Sequence, residues 1–255
     1  MTALLDCNRV TLAAGPKQLV RSLEWTVGAG EQWGILGPNG CGKTTLLHSL
    51  SGLHEVREGE ILLRGQPLGA LSRREIARLT GLLFQENHYP FPLSVEELVL
   101  AGRFPWQSVL AVVSAEERRL AREALATMQL EGFQQRRIDS LSGGERRRVA
   151  LAALLCQQAA INLLDEPENH LDPGIRLTLL RRFLEQQPAA RATVMVMHDP
   201  ALAVRLCSHL LLLFSDGSWL AGRTEEIATG GNLSRLYGAP FEATRAGEVL
   251  LVYPG

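Results

Sequence analysis

Apolar and polar positions along this 255-residue chain follow two periods, and the two occupy different stretches. Short runs rich in Val, Ile and Leu, bounded by Gly, Pro, Asn or Asp, read as strands. They fall at Leu4–Val10, Leu23–Val27, Gln32–Leu36, Gly59–Leu63, Thr80–Phe84, Ile161–Leu164, Thr193–Met197 and Leu210–Phe214. The last four are nearly unbroken apolar runs, as expected of central strands covered on both faces. Between Glu86 and about Ala153 the spacing turns helical, with candidate helices at Ser94–Leu100, Ala115–Leu130 and Ser142–Leu155 and no convincing strand. Strand-like and helix-like runs in alternation predict an α/β fold. The helical stretch, about 86–153, is expected as an insertion in a core formed by about 1–85 and 154–215. A smaller appendage, about 216–255, closes with a strand at Val249–Val252. The sequence holds no internal repeat.

Candidate chemistry sits at the ends of the expected strands. After Gln32–Leu36 comes Gly37-Pro38-Asn39-Gly40-Cys41-Gly42-Lys43-Thr44-Thr45, and then an apolar helix start. A strand, a glycine-rich loop and a helix N-terminus form a nest of backbone N–H groups that wraps a polyphosphate. Glycine lets the backbone approach where a Cβ would clash. Lys43 would reach the β- and γ-phosphates, and the Thr44 hydroxyl would ligate Mg²⁺.

The strand Ile161–Leu164 ends in Asp165-Glu166. A carboxylate there, facing a phosphate loop, suits a Mg²⁺ ligand, and Asp165 takes that role. Glu166 is then the general base that polarises the attacking water. His198 follows Thr193–Met197, and Gln85 follows Leu82-Leu83-Phe84. Parallel strands would bring both to the edge that holds Lys43 and Asp165. His198 would hold the γ-phosphate and fix Glu166, and Gln85 would bind Mg²⁺ or water. Leu141-Ser142-Gly143-Gly144-Glu145 carries the spacing of a capping box, and its open helix start also suits an anion.

Composition narrows the classes. The net charge is −1 and 46% of residues are hydrophobic, which is ordinary globular usage. Arg146-Arg147-Arg148 on so balanced a chain reads as one solvated helix face, and no nucleic-acid partner is expected. Cys7, Cys41, Cys156 and Cys207 have no metal-ligand spacing and fit reduced thiols of the cytosol. Asp6 and Arg9 interrupt any signal-peptide pattern, and the apolar runs are too short to cross a bilayer.

Gly37–Thr45, Gln85, Leu141–Glu145, Leu163–Glu166, Asn169-His170-Leu171-Asp172 and His198, in this order and spacing, resemble the ATP-binding-cassette ATPases over nearly the whole chain. The resemblance implies one nucleotide-binding domain over 1–255. Its fold would be a P-loop NTPase (RecA-like) core with a mostly helical insertion and a small antiparallel β portion near the N-terminus. It implies ATP and Mg²⁺ as cofactors and a head-to-tail dimer with a second copy of the chain. Each ATP would lie between the phosphate loop of one protomer and Ser142, Gly143 and Gly144 of the other, with Asp172 passing information between the two sites.

Phe91-Pro92-Leu93-Ser94-Val95-Glu96-Glu97-Leu98-Val99, Gly102-Arg103-Phe104-Pro105-Trp106 and the segments Gly222–Ile227 and Leu233–Gly238 resemble importers of iron–siderophore, haem and cobalamin complexes. That implies transmembrane permease partners, indirectly a substrate-binding protein, and a peripheral place at the cytoplasmic face of the inner membrane. Phe91, Phe104 and Trp106 would be apolar contacts for a permease helix, or else core of the helical region. The competing readings are a soluble cassette of the iron–sulfur assembly type and an importer for another cargo.

Two positions depart from the family pattern. Where most cassettes stack an aromatic ring on adenine, this chain has Ala13-Ala14-Gly15, leaving Arg9, Val10 or Lys17 as candidate contacts. Glu168 stands in place of a Thr or Ser, and it is expected to point outward because an unpaired buried charge is costly.

Overall fold

The computed structural model describes residues 3–86, 89, 91–108, 112–247 and 249–255. It opens with a long hairpin, β1 (Ala3–Ala14) and β2 (Lys17–Gly28), turning at Gly15. Both strands outrun the sequence expectation. Arg9 and Ser22 take positive φ and shift the register, so strict alternation is lost between Cys7 and Val10. Next come β3 (Gln32–Leu36), α1 (Lys43–Leu50), β4 (Glu58–Leu63), β5 (Gln66–Pro67), α2 (Arg73–Leu79) and β6 (Thr80–Leu83). The order β2-β1-β4-β5 makes an antiparallel sheet, the small β portion expected near the N-terminus.

The helical stretch holds α3 (Val95–Ala101), α4 (Ala115–Thr127) and α5 (Gly143–Gln157). Helices α2 to α5 all begin on a Ser-x-x-Glu capping box, at Ser72/Glu75, Ser94/Glu97, Ser114/Glu117 and Ser142/Glu145. In each, the serine oxygen accepts the N–H of the third helical residue, and that glutamate accepts the serine N–H. Helix α4 stops three residues short of Leu130, because Gln129 turns left-handed and tucks Leu130 beneath the helix.

The chain then alternates β7 (Ile161–Asp165), α6 (Arg176–Glu185), β8 (Ala192–Val196), α7 (Pro200–Leu206), β9 (His209–Leu213) and β10 (Trp219–Arg223). It ends with α8 (Thr224–Ile227), α9 (Gly230–Tyr237) and the hairpin β11 (Phe241–Ala246)–β12 (Val249–Pro254). The main sheet has the order β10-β9-β3-β8-β7-β6, parallel except for the edge strand β10.

Burial explains why the central strands read as continuous apolar runs. Ile35, Leu163, Val194, Val196, Leu211 and Leu213 pack with α1 and the N-terminal sheet. Their chain neighbours Leu36, Leu164, Met195, Met197, Leu210 and Leu212 pack on the other face, with the helices of the inserted stretch, α6 and α7. Period two therefore persists, but both phases are apolar.

Gly102 closes the contact between α3 and α5. A Cβ placed on it would lie 2.4 Å from the Ala153 carbonyl oxygen, which is backbone and cannot swing aside. We expect Gly102→Ala to lower stability by about 2 kcal/mol through overpacking. Gly69→Ala, where a Cβ meets nothing within 4 Å, should be nearly neutral; urea unfolding of the two variants checks the difference.

Candidate active site

Strands β3, β8, β7 and β6 lie side by side with their C-terminal ends on one edge. The segments that leave that edge carry Gly37–Thr45, His198, Asp165-Glu166 and Gln85. Sheet order thus gathers residues up to 161 positions apart, from Gly37 to His198.

The glycine loop has left-handed backbone at Gly40 (φ 73°) and Gly42 (φ 105°). A Cβ on Gly37 would lie 2.5 Å from the Leu213 carbonyl, so β9 presses directly on the loop. Lys43 is buried, and its ammonium donates to the carbonyls of Gly37 (2.7 Å) and Pro38 (3.1 Å). Cys41 is buried too, and burial raises its thiol pKa, which keeps it protonated. Of the residues considered for adenine, Lys17 reaches the loop, donating to the Gly40 carbonyl at 3.3 Å. Val10 is in the core, and the Arg9 backbone lies beneath Gly59.

The Thr44 hydroxyl donates to Asp165 Oδ1 at 3.3 Å, joining α1 to the end of β7. Asp165 Oδ2 is buried without a hydrogen-bond partner. Burial raises the Asp165 pKa, with the Thr44 hydrogen bond opposing it. Glu166 has φ 48° and is held from three sides. Gln85 Nε2 donates to its Oε2 at 2.8 Å, the Asn169 amide donates to the same oxygen, and His198 Nε2 meets Oε1. Asn169 appeared in the sequence only as part of the 169–172 motif. Its contact with Glu166 is a turn geometry, three residues on, that spacing alone does not reveal.

Two expectations are corrected. Arg147 is not on a solvated face: it is 3% exposed, and its guanidinium donates to the backbone carbonyls of Phe84 (2.6 Å), Asp165, Glu166 (2.6 Å) and Pro167 (3.3 Å). Of the triplet, Arg146 is exposed and Arg148 is partly buried. Burial pushes the Arg147 pKa down to about 10, which leaves it charged at neutral pH. Glu168 points inward rather than outward. It is 7% exposed, and its Oε1 accepts the His198 N–H at 3.1 Å. Burial raises the Glu168 pKa, so its charged form is disfavoured there, and its Oε2 has no hydrogen-bond partner.

The start of α5 lies apart from these groups. Ser142 is exposed, and Gly143 and Gly144 pack on His170, with a Cβ on Gly144 coming 2.8 Å from the His170 carbonyl. Asp172 is exposed and accepts the Gly174 N–H at 2.8 Å. Among the described residues no hydrogen bond joins Ser142, Gly143, Gly144 or Asp172 to the glycine loop.

Residues 20–169, more than half of the chain, match the family model described as ABC transporter. The chain belongs to the ABC transporter family. It is 37% identical over 241 residues to the hemin import ATP-binding protein HmuV of Streptomyces coelicolor, covering 93% of this chain and 85% of that one. To the ferric enterobactin transport ATP-binding protein FepC of Escherichia coli it is 34% identical over 237 residues, covering 92% and 88%. A solved structure described as a metal-chelate type ABC transporter, in an inward-facing conformation, superposes with a TM-score of 0.86 at 26% identity, over 99% of this chain and 98% of that one.

Hydrolysis of ATP coupled to transport is the activity of such ABC cassettes. In this cassette Phe91 and Phe104 are about 70% exposed, so neither belongs to the core of the helical region. The guanidiniums of Arg78 and Arg103 each lie 5.5 Å from the ring of Trp106, whose indole N–H donates to the Gln157 carbonyl. No helix of the described residues is long and apolar enough to cross a membrane.

Glu168 gives a pH test. Its pKa is higher folded than unfolded, so the folded state binds its proton more tightly, and stability falls as pH rises through the range above the unfolded value of about 4.3. Glu168→Gln removes that loss. The Tm of the variant should match the wild type near about pH 4 and exceed it near about pH 8. Calorimetric scans at both values test the sign, and a variant less stable at the higher pH would show that ionised Glu168 is stabilising.

Proposed function

We propose that this cassette is the ATP-hydrolysing, energy-coupling subunit of an importer for a metal chelate of the iron–siderophore, haem or cobalamin class. The cargo reading is supported by relatives named for hemin and ferric enterobactin transport. The ATP chemistry is carried by one observation, the three-sided grip on Glu166 beside the Thr44–Asp165 pair.

In this reading Gly37–Thr45 wraps the phosphates, and Lys43 exchanges its loop carbonyls for phosphate oxygens. Thr44 and Asp165, with Gln85 alongside, hold Mg²⁺; the buried, unpartnered Oδ2 of Asp165 suits a hard cation that takes oxygen ligands. Bound there, Mg²⁺ supplies neutralisation of the β- and γ-phosphate charge. Glu166 takes the proton of the attacking water in ATP + H₂O → ADP + phosphate. A carboxylate has about four acceptor positions, and three donors on Glu166 leave one for that water. His198 steadies the opposite oxygen of Glu166 and faces the γ-phosphate.

The chain acts as one nucleotide-binding domain over 1–255 that pairs head-to-tail with a second copy. Ser142, Gly143 and Gly144 of each copy complete the ATP site of the other, and Asp172 links the two sites. The exposed Phe91 and Phe104 serve a permease helix, with a substrate-binding protein acting on that permease from the far side. The cassette would then sit peripherally at the cytoplasmic face of the membrane.

Glu166→Gln should keep ATP binding, give a long-lived ATP-bound dimer on size exclusion, and lose roughly two to four orders of magnitude in turnover. Unchanged hydrolysis would remove Glu166 from the base role. Affinity capture of the tagged chain from native membranes in mild detergent should recover a polytopic membrane protein in equal amount. Recovery of soluble partners alone would move the chain to a cytosolic role with its ATP chemistry intact.

A further inference from the structure

At the edge of the main sheet opposite the active site, a cavity of about 390 Å³ opens where β9 begins and β10 ends. Four arginines line it: Arg181 from α6, Arg205 from α7, Arg223 from β10 and Arg245 from β11. They come from separate elements, so tertiary structure rather than helical periodicity brings them together. Glu225 is the one carboxylate in the lining, and it is shared by Arg223 at 3.5 Å and Arg245 at 3.1 Å. Arg181 and Arg205 make no ion pair among the described residues. Three unmatched positive charges thus face one space on a chain whose net charge is −1. Val204 and Leu250 form an apolar wall, and the volume lies in the range of small-molecule sites, about 300–1,000 Å³.

We infer that this cavity binds a small, soluble, multiply charged oxyanion of the phosphate-ester or polyphosphate class. Guanidinium forks match phosphate oxygens in pairs, and a ligand with two or more negative charges would neutralise what Glu225 leaves over. Arg181 and Arg205 lie on the helices of the core, while Arg245 lies on the terminal hairpin. A bound anion would therefore tie that hairpin to the core and make its mobility depend on the ligand.

Inorganic pyrophosphate is the probe, titrated calorimetrically at low salt into the full chain carrying Lys43→Ala, which disables the phosphate loop. One pyrophosphate should bind per chain. Adding Arg181→Ala with Arg205→Ala should weaken binding by about tenfold or more. Arg181→Lys with Arg205→Lys, which keeps the charge but not the fork, should fall between, and circular dichroism checks that each variant is folded. Hydrogen exchange across 241–254 should slow with pyrophosphate in the parent and not in the double alanine variant. Equal affinity in parent and double alanine variant, or no binding in the parent, would overturn the inference. So would binding to vesicles of anionic phospholipid without binding to free pyrophosphate, since that outcome describes a surface and not this cavity.

Discussion

The site depends on one buried guanidinium, that of Arg147. Arg147 enters from α5 and ends among the backbone carbonyls of Phe84, Asp165, Glu166 and Pro167, at the tips of β6 and β7. Those strands finish on the active-site edge, and a buried carbonyl left without a donor costs about 1–3 kcal/mol. One planar guanidinium satisfies several of them at once, in directions that a lysine ammonium on a flexible stem would not fix. The side chains of Asp165 and Glu166 are in this way freed from capping their own strand and left for chemistry. Because Arg147 belongs to the helix that begins at Ser142, the same residue sets the angle of α5 to the sheet.

Electrostatics around this clamp are unusual for their crowding. Asp165, Glu166 and Glu168 are all buried within four residues of chain. The structure separates their roles by environment. Glu166 is held by three polar side chains, Gln85, Asn169 and His198. Asp165 and Glu168 are raised in pKa, chiefly by burial. Asp165 has the Thr44 hydroxyl beside it, while Glu168 has only backbone N–H contact and an oxygen with no partner. Glu168 braces the His198 backbone from a place where burial disfavours its charge, and His198 in turn meets Glu166.

How far all this was legible follows from what each signal measures. The glycine loop, Asp165-Glu166, Gln85 and His198 could be placed because each follows an apolar run, and parallel strands deliver their ends to one edge. The Ser142 helix start was legible from its capping-box spacing. Arg147 was misread because in a run of three arginines the helical period does not say which one faces inward. Its partners are carbonyls, which leave no mark on the sequence. Glu168 was misread because burial penalises only the ionised carboxyl, and the same burial raises its pKa. Strand β10 escaped notice as a half-exposed edge strand without an apolar run. Likewise β11 lacks alternation, and its pairing with β12 is a tertiary fact.

The start of α5 carries donors that the proposed pairing with a second copy would use. A helix leaves its first backbone N–H groups without partners inside the helix. Here the box uses the N–H of Glu145 and the N–H of Ser142, reciprocally. Gly143 and Gly144 have no side chain to turn back on their own amides, and no acceptor for those amides exists among the described residues. Their other flank is closed by His170, so the exposed Ser142 hydroxyl and two glycine amides are the donors left over, at the positive end of the helix. Such a set matches a phosphate oxygen, yet within this chain no hydrogen bond links it to the loop of Lys43. In the proposed head-to-tail pair, a nucleotide held by Lys43 of one copy and capped by α5 of the other would satisfy both halves. Arg147, one turn along from Gly143, would in that pair link the capped helix directly to the backbone that bears Asp165 and Glu166, since it donates to both of their carbonyls.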